Sequence, residues 1–185
     1  ITASMTVLAI CYTMIIPFLP IYLLELGVPK ADVALWSGLV FGITFLIAGI
    51  MAPIWGKIAD NKGKKRMALR AGFAIAVSYV LIGMVTDQYQ LLMGRALVGF
   101  ANGFYPAAMT MVSLSVDEKQ VGRALGIFQT GLILGNVIGP FLGGAVESVV
   151  GMRPVFYISG IAVFIATLAV LFLVKEPKLE VENTT

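Results

Sequence analysis

The chain has 185 residues, 59% of them apolar and only 12% charged, with a formal net charge of +3. A soluble domain holds about 25% charged residues, so this composition and a mean hydropathy of +0.95 exclude an ordinary water-soluble core. The lack of histidine removes the commonest metal ligand and general base, and the single cysteine, Cys11, excludes an internal disulfide.

The apolar residues fall into six runs, 1–24, 33–56, 67–86, 89–113, 121–146 and 153–174. Each is long enough for a helix to cross the hydrocarbon layer, which takes about 20 residues. The polar outer faces that a soluble helical bundle needs are missing from them. The pattern predicts an all-α membrane protein with six transmembrane helices over residues 1–174. Residues 175–185, KEPKLEVENTT, turn abruptly charged and polar and read as the start of a cytoplasmic linker. The first run is too long for a signal peptide and has no cleavage site. Because the chain opens on Ile1 and not Met, a short preceding piece is expected.

The first run carries Tyr12, a candidate for a cavity wall. Between the second and third runs lies GKIADNKGKKRMALR, Gly56 to Arg70. There Asp60 can cap a helix N-terminus or pair with a cation, and Gly63 permits a tight reversal. A solvated loop would explain Lys64 and Lys65 but not the Gly56, Asp60, Gly63 spacing. With Lys57, Lys62, Arg66 and Arg70, then Lys119, Arg123, Lys175 and Lys178, the basic residues gather on one side if the spans alternate. The opposite loops hold only Lys30 and Arg153. The positive-inside rule then puts both termini in the cytoplasm, and the chain is expected in the inner membrane. The same rule accounts for a pI of about 9.1 without nucleic acid.

In the fourth run, Arg95 lies about two turns from the outer end. An arginine at that depth costs at least about 2.5 kcal/mol, so it must face water, a partner or a substrate, or else snorkel to the headgroups. Helical spacing from Arg95 meets Gly99, Asn102, Pro106, Met109 and Ser113, a stripe suited to a cavity wall. The fifth run reads GLILGNVIGPFLGG, with Gly131, Gly135, Gly139 and Gly143 at intervals of four and Gly144 beside them. A helical glycine costs roughly 1 kcal/mol and an interior proline about 3, so such a run implies a compensating contact. Small residues let another backbone approach closely, and Pro140 can bend the helix there. Gln129 and Asn136 share a neighbouring face, either as cavity residues or as interhelical hydrogen-bonding groups.

The carboxylates before the polar tail (Glu25, Asp32, Asp60, Asp87, Asp117, Glu118, Glu147) all fall at or near a span end. Asp117 or Glu118 is expected near the lysines of the 62–66 cluster. Neither a phosphate-cradling loop nor a nucleophile-and-base pair is present, which argues against an enzyme. SVDEKQVGRALG, between the fourth and fifth runs, is a faint echo of the earlier acidic-then-basic turn, and three-plus-three inverted-repeat symmetry is a habit of secondary transporters.

Three stretches together resemble the major facilitator superfamily, in its twelve-span drug:proton antiporter branch. Gly56 to Ala68 is similar to the superfamily's loop signature, departing at Asn61 and Ala68. Arg95 to Gly99, RALVG, resembles the fourth-helix signature, with Val98 in place of a polar residue. Gly126, followed by Gly135 to Gly144 with Pro140, resembles the antiporter signature of helix five. The resemblance covers essentially the whole chain, as an N-terminal six-helix half. It implies export by rocking two six-helix bundles about a central cavity, driven by a proton gradient and without a cofactor. It further implies that Arg95 takes part in proton coupling, that the fifth-helix glycines pack at the seam between the halves, and that Asp60 locks the outward-facing state. The proton carrier would lie in the other half or be Glu25. Implied partners are a small amphiphilic substrate, membrane lipids, and a C-terminal six-helix half or a second copy of the chain. A lipid or glycolipid flippase, a nutrient importer, and a non-transporting scaffold or partner-binding protein are the alternatives.

Overall fold

Proline and glycine, more than polarity, set the helix boundaries. The computed structural model describes residues 2–174, so the expected linker at 175–185 lies outside the described residues. The helices are α1 (Thr2–Ile15), α2 (Leu19–Glu25), α3 (Val33–Lys62), α4 (Lys64–Gly83), α5 (Gln88–Ala101), α6 (Phe104–Ser113), α7 (Val121–Val150) and α8 (Met152–Leu173). They make six crossings. The first joins α1 and α2 through a 3-10 turn, Ile16–Phe18, that carries Pro17. α3 and α7 run on through Pro53 and Pro140. The turn from α3 to α4 is a single residue, Gly63, whose φ of 95° is one that L side chains rarely adopt.

The fourth crossing differs from its expected form. Instead of one helix over 89–113, it is split into pieces of 14 and 10 residues, each too short to cross alone. Asn102 is extended at the break, and Gly103 takes φ 141°, again a glycine conformation. Pro106 falls in the first turn of α6, where its missing N–H would have had no helical partner.

The packing follows the three-plus-three plan. α1 packs against α7, α3 against α5, and α4 against α8. Exchanging spans one with four, two with five and three with six converts the first of these contacts into the second and leaves the third unchanged. Spans three apart run in opposite directions, so the repeat is inverted.

The glycine ladder has its contact inside this bundle. Gly131, Gly135, Gly139 and Gly143 are all buried and face α1. A Cβ built on Gly135 would lie 2.7 Å from Ala9 Cβ and 2.9 Å from the Thr6 carbonyl oxygen, and one on Gly139 would lie 2.8 Å from the Ile10 carbonyl. Thr13 Oγ1 donates across the crossing to the Gly135 carbonyl at 3.2 Å. This corrects the expected seam between halves: the four glycines are used by span one, their partner under the repeat. Gly144 approaches only the Phe18 ring, and Gly126 has open space around it. Spans two and five are the least buried crossings, and α3 and α7 present large apolar side chains outward, Phe45, Leu46, Ile133 and Phe141 among them.

Gly135→Leu should therefore force α1 and α7 apart, at a cost of about 1–3 kcal/mol for overpacking. Thermal unfolding of the purified full-length protein should show a lowered midpoint for Gly135→Leu and an unchanged one for Gly126→Leu. Equal midpoints would remove the ladder from the interior.

Candidate functional site

The site is assembled around span four. Asp87 caps α5, its carboxylate accepting from the backbone N–H of Tyr89 and Gln90 at 2.9 Å each. Two turns on, Arg95 is 0% exposed and is the only charged side chain among the described buried residues. It is held from span two, where Thr44 Oγ1 donates to the Arg95 carbonyl at 3.1 Å. Gly99 permits this approach, since a Cβ there would run into the Thr44 backbone. None of the three guanidinium nitrogens has a hydrogen-bond partner among the described residues. The guanidinium carbon stands 5.9 Å from the Phe41 ring centroid. Arg95 thus points into the bundle, not toward lipid or headgroups, and has five N–H donors to offer an anionic or carbonyl partner. None of the carboxylates among the described residues is buried, and Glu25 is exposed at the end of α2.

A cavity of about 220 Å³ includes Val98 and Asn102 of span four in its lining but not Arg95, so the expected place of Arg95 in a cavity wall is not met. Tyr12 and Met5 from span one, Phe45 from span two, Tyr79 from span three, Asn102 and Tyr105 from span four, and Asn136 from span five line it. Asn136 itself is exposed on the face of α7. Gln129 is not part of this wall. Its Nε2 donates to Tyr105 Oη at 2.9 Å, the interhelical alternative, and so fixes that ring. The stripe expected from Arg95 through Ser113 does not continue in phase, because the break rotates α6 relative to α5. Asn102 stays at the cavity, whereas Pro106 lines a second one.

That second cavity, about 390 Å³, lies between α3 and α6. Trp55, Gly56, Lys64, Asn102, Tyr105 and Pro106 contribute to its walls. At its basic rim Asp60, in the last turn of α3, pairs with Lys64 in the first turn of α4. Lys65 Nζ donates to the Leu171 carbonyl at the end of α8, at 2.8 Å. The Asp60–Lys64 pair is the one ion pair among the described residues, so neither Asp117 nor Glu118 is ion-paired with the 62–66 lysines.

Trp55 and Arg70 are functional candidates that the residue pattern did not single out. Trp55 Nε1 donates to the Phe100 carbonyl at 2.8 Å, and Arg70 Nη2 to the Ala101 carbonyl at 3.1 Å. The available signal was Asn102-Gly103, a turn dipeptide within an apolar run. Tyr105, Thr44 and Phe41 carried no signal beyond being apolar or small polar residues in a span.

With this geometry, the chain matches known transporters. The profile of the Major Facilitator Superfamily matches residues 1–185. The chain belongs to that superfamily, whose members are transporters and not enzymes. It is 43% identical over 166 residues to multidrug resistance protein MdtG of Proteus mirabilis (strain HI4320), covering 89% of this chain and 41% of that protein. It is 39% identical to MdtG of Dickeya zeae (strain Ech586), again over 89% of this chain and 41% of that protein. The chain therefore spans about two fifths of the length of these relatives. Among solved structures, the human organic anion transporter MFSD10 (TETRAN) superimposes with a TM-score of 0.83 at 16% identity, over 96% of this chain and 47% of that one. The POT family transporter PepTSo gives 0.84 at 17% identity, over 97% of this chain and 38% of that one.

The exposed carboxylate limits what the Asp60 pair does for stability. Asp60 is 69% exposed, where an ion pair contributes about 0.2–1 kcal/mol. Asp60→Asn should shift the unfolding free energy by less than about 1 kcal/mol in chemical denaturation. A larger loss would mean that the carboxylate has a second partner.

Proposed function

We propose that the chain is the N-terminal six-helix half of a proton-driven efflux transporter for drugs or other amphiphilic metabolites, working by alternating access. The observation that carries this reading is the mixed cavity of about 220 Å³, with a fully buried, unpartnered Arg95 one turn before its Val98 wall on span four. Its walls combine Tyr, Phe and Met side chains with the amides of Asn102 and Asn136, a mixture that accepts varied apolar bodies and orients a few polar groups. The similarity to MdtG, a multidrug resistance protein by name, supports the same substrate class.

In this reading residues 1–174 are the bundle, 175–185 lead into a cytoplasmic linker, and both termini lie in the cytoplasm of an inner-membrane protein. Spans two and five, with their apolar outer faces, meet the C-terminal half or a second copy, and lipid covers the rest. The role of Arg95 is that of a fixed charge that favours the ionised form of a carboxylate brought near it. That carboxylate comes from the other half or is Glu25. Proton binding there and substrate binding in the cavity then compete, and Asp60 with Gly63 holds one of the two rocked states.

Arg95→Met tests the reading through two measurements that should move apart. An unpaired buried charge is costly, so an apolar substitute of similar length leaves the thermal midpoint equal or higher. Drug efflux from cells expressing the full-length protein should fall at least tenfold. Retained efflux would remove Arg95 from the coupling step.

A further inference from the structure

The break in span four leaves the end of α5 with carbonyls that no helix continues to satisfy. In the membrane such groups must find partners inside the protein. Here all four have one. The Asn102 N–H donates to the Val98 and Gly99 carbonyls at 3.0 and 3.2 Å. The last two are taken from outside the span, Phe100 by Trp55 of α3 and Ala101 by Arg70 of α4. The two donors also hold one another, with the Arg70 guanidinium carbon 3.5 Å from the centroid of the Trp55 ring. The same indole meets Phe100 edge-on, at 5.3 Å between centroids. A cation at a helix C-terminus is favoured by the dipole, and its stacking on tryptophan adds a cation–π contact. Both side chains border Gly103, where a Cβ would lie 3.6 Å from Arg70 Nη2 and 3.9 Å from Trp55 Cβ.

We propose that Trp55 and Arg70 form a clasp on the Asn102–Gly103 break, making it a hinge with a built-in catch. They are positioning residues. Held by the clasp, the break fixes the phase of α6 relative to α5, and so places Asn102 and Tyr105 in the wall common to the two cavities. Released, the Phe100 and Ala101 carbonyls turn to water in the larger cavity, and α6 swings at Gly103 while α5, pinned at Arg95 by Thr44, stays in place. The wall between the cavities opens with that movement. The inference rests on the transport reading only for the use made of the hinge, a passage for substrate.

Amide hydrogen exchange of the full-length protein tests the clasp without any substrate, so a failure of the transport reading and a failure of the clasp are separate results. The protein is placed in nanodiscs of phosphatidylethanolamine and phosphatidylglycerol. Arg70→Gln should raise exchange in residues 99–107 at least tenfold while residues 128–143 of α7 stay within twofold of wild type. Trp55→Phe keeps the aromatic ring but removes the Nε1–H donor, and should raise the same segment at least threefold. It serves as the test if Arg70→Gln does not fold. Arg70→Lys retains the charge but not the flat stacking surface and should fall between wild type and Arg70→Gln. Exchange in 99–107 within twofold of wild type in the folded variants would overturn the clasp. So would an equal rise in α7, which would mark general loosening.

Discussion

A guanidinium kept from water without a hydrogen-bonding partner costs several kcal/mol, and the arrangement around Arg95 depends on accommodating it. Lipid on any side would raise that cost, so span four must be enclosed where Arg95 sits. Thr44 and Gly99 bring α3 against α5 there, and the Phe41 ring lies beside the guanidinium. The Phe41 ring is a polarisable neighbour that takes none of the guanidinium donors. In the proposed transporter a carboxylate brought to Arg95 would relieve that cost, which is how ion binding is proposed to couple to movement.

Close crossings of backbone keep the enclosure rigid on one side and leave room on the other. Span five meets span one along four glycines, and span two meets span four at Gly99, the corresponding contact under the repeat. Such crossings draw helices together tightly enough that the spaces left elsewhere are defined cavities. Between them, the split of span four supplies what a continuous helix cannot: a change of phase that turns Tyr105 toward Gln129 and the smaller cavity while Pro106 faces the larger one.

The six crossings were legible in the sequence because length and apolarity are local properties, and the superfamily was legible from the resemblance of three motifs. Arg95 was expected to face inward, but on a cavity wall and not fully enclosed. The glycine ladder was legible as a contact surface, but its partner was not. Small residues announce a close approach and say nothing of which helix approaches, and span one, with Thr6, Ala9 and Thr13, is small-residue-rich in a way that only packing reveals. Gln129 illustrates a related gap, since a cavity residue and an interhelical donor have the same spacing and differ only by the presence of Tyr105 opposite. The helix break was the largest omission. The Asn102-Gly103 dipeptide marks a turn, yet an apolar run of this length outweighs it unless distant donors for the freed carbonyls are known. Trp55 and Arg70 are those donors, on two other spans.

The most direct test of coupled transport through this site uses the full-length protein in proteoliposomes with an imposed pH gradient. Accumulation of a fluorescent amphiphilic drug should require the gradient, collapse on adding a proton ionophore, and be absent for Arg95→Met at equal protein density. Accumulation of the same extent without a gradient, or undiminished in Arg95→Met, would contradict the account.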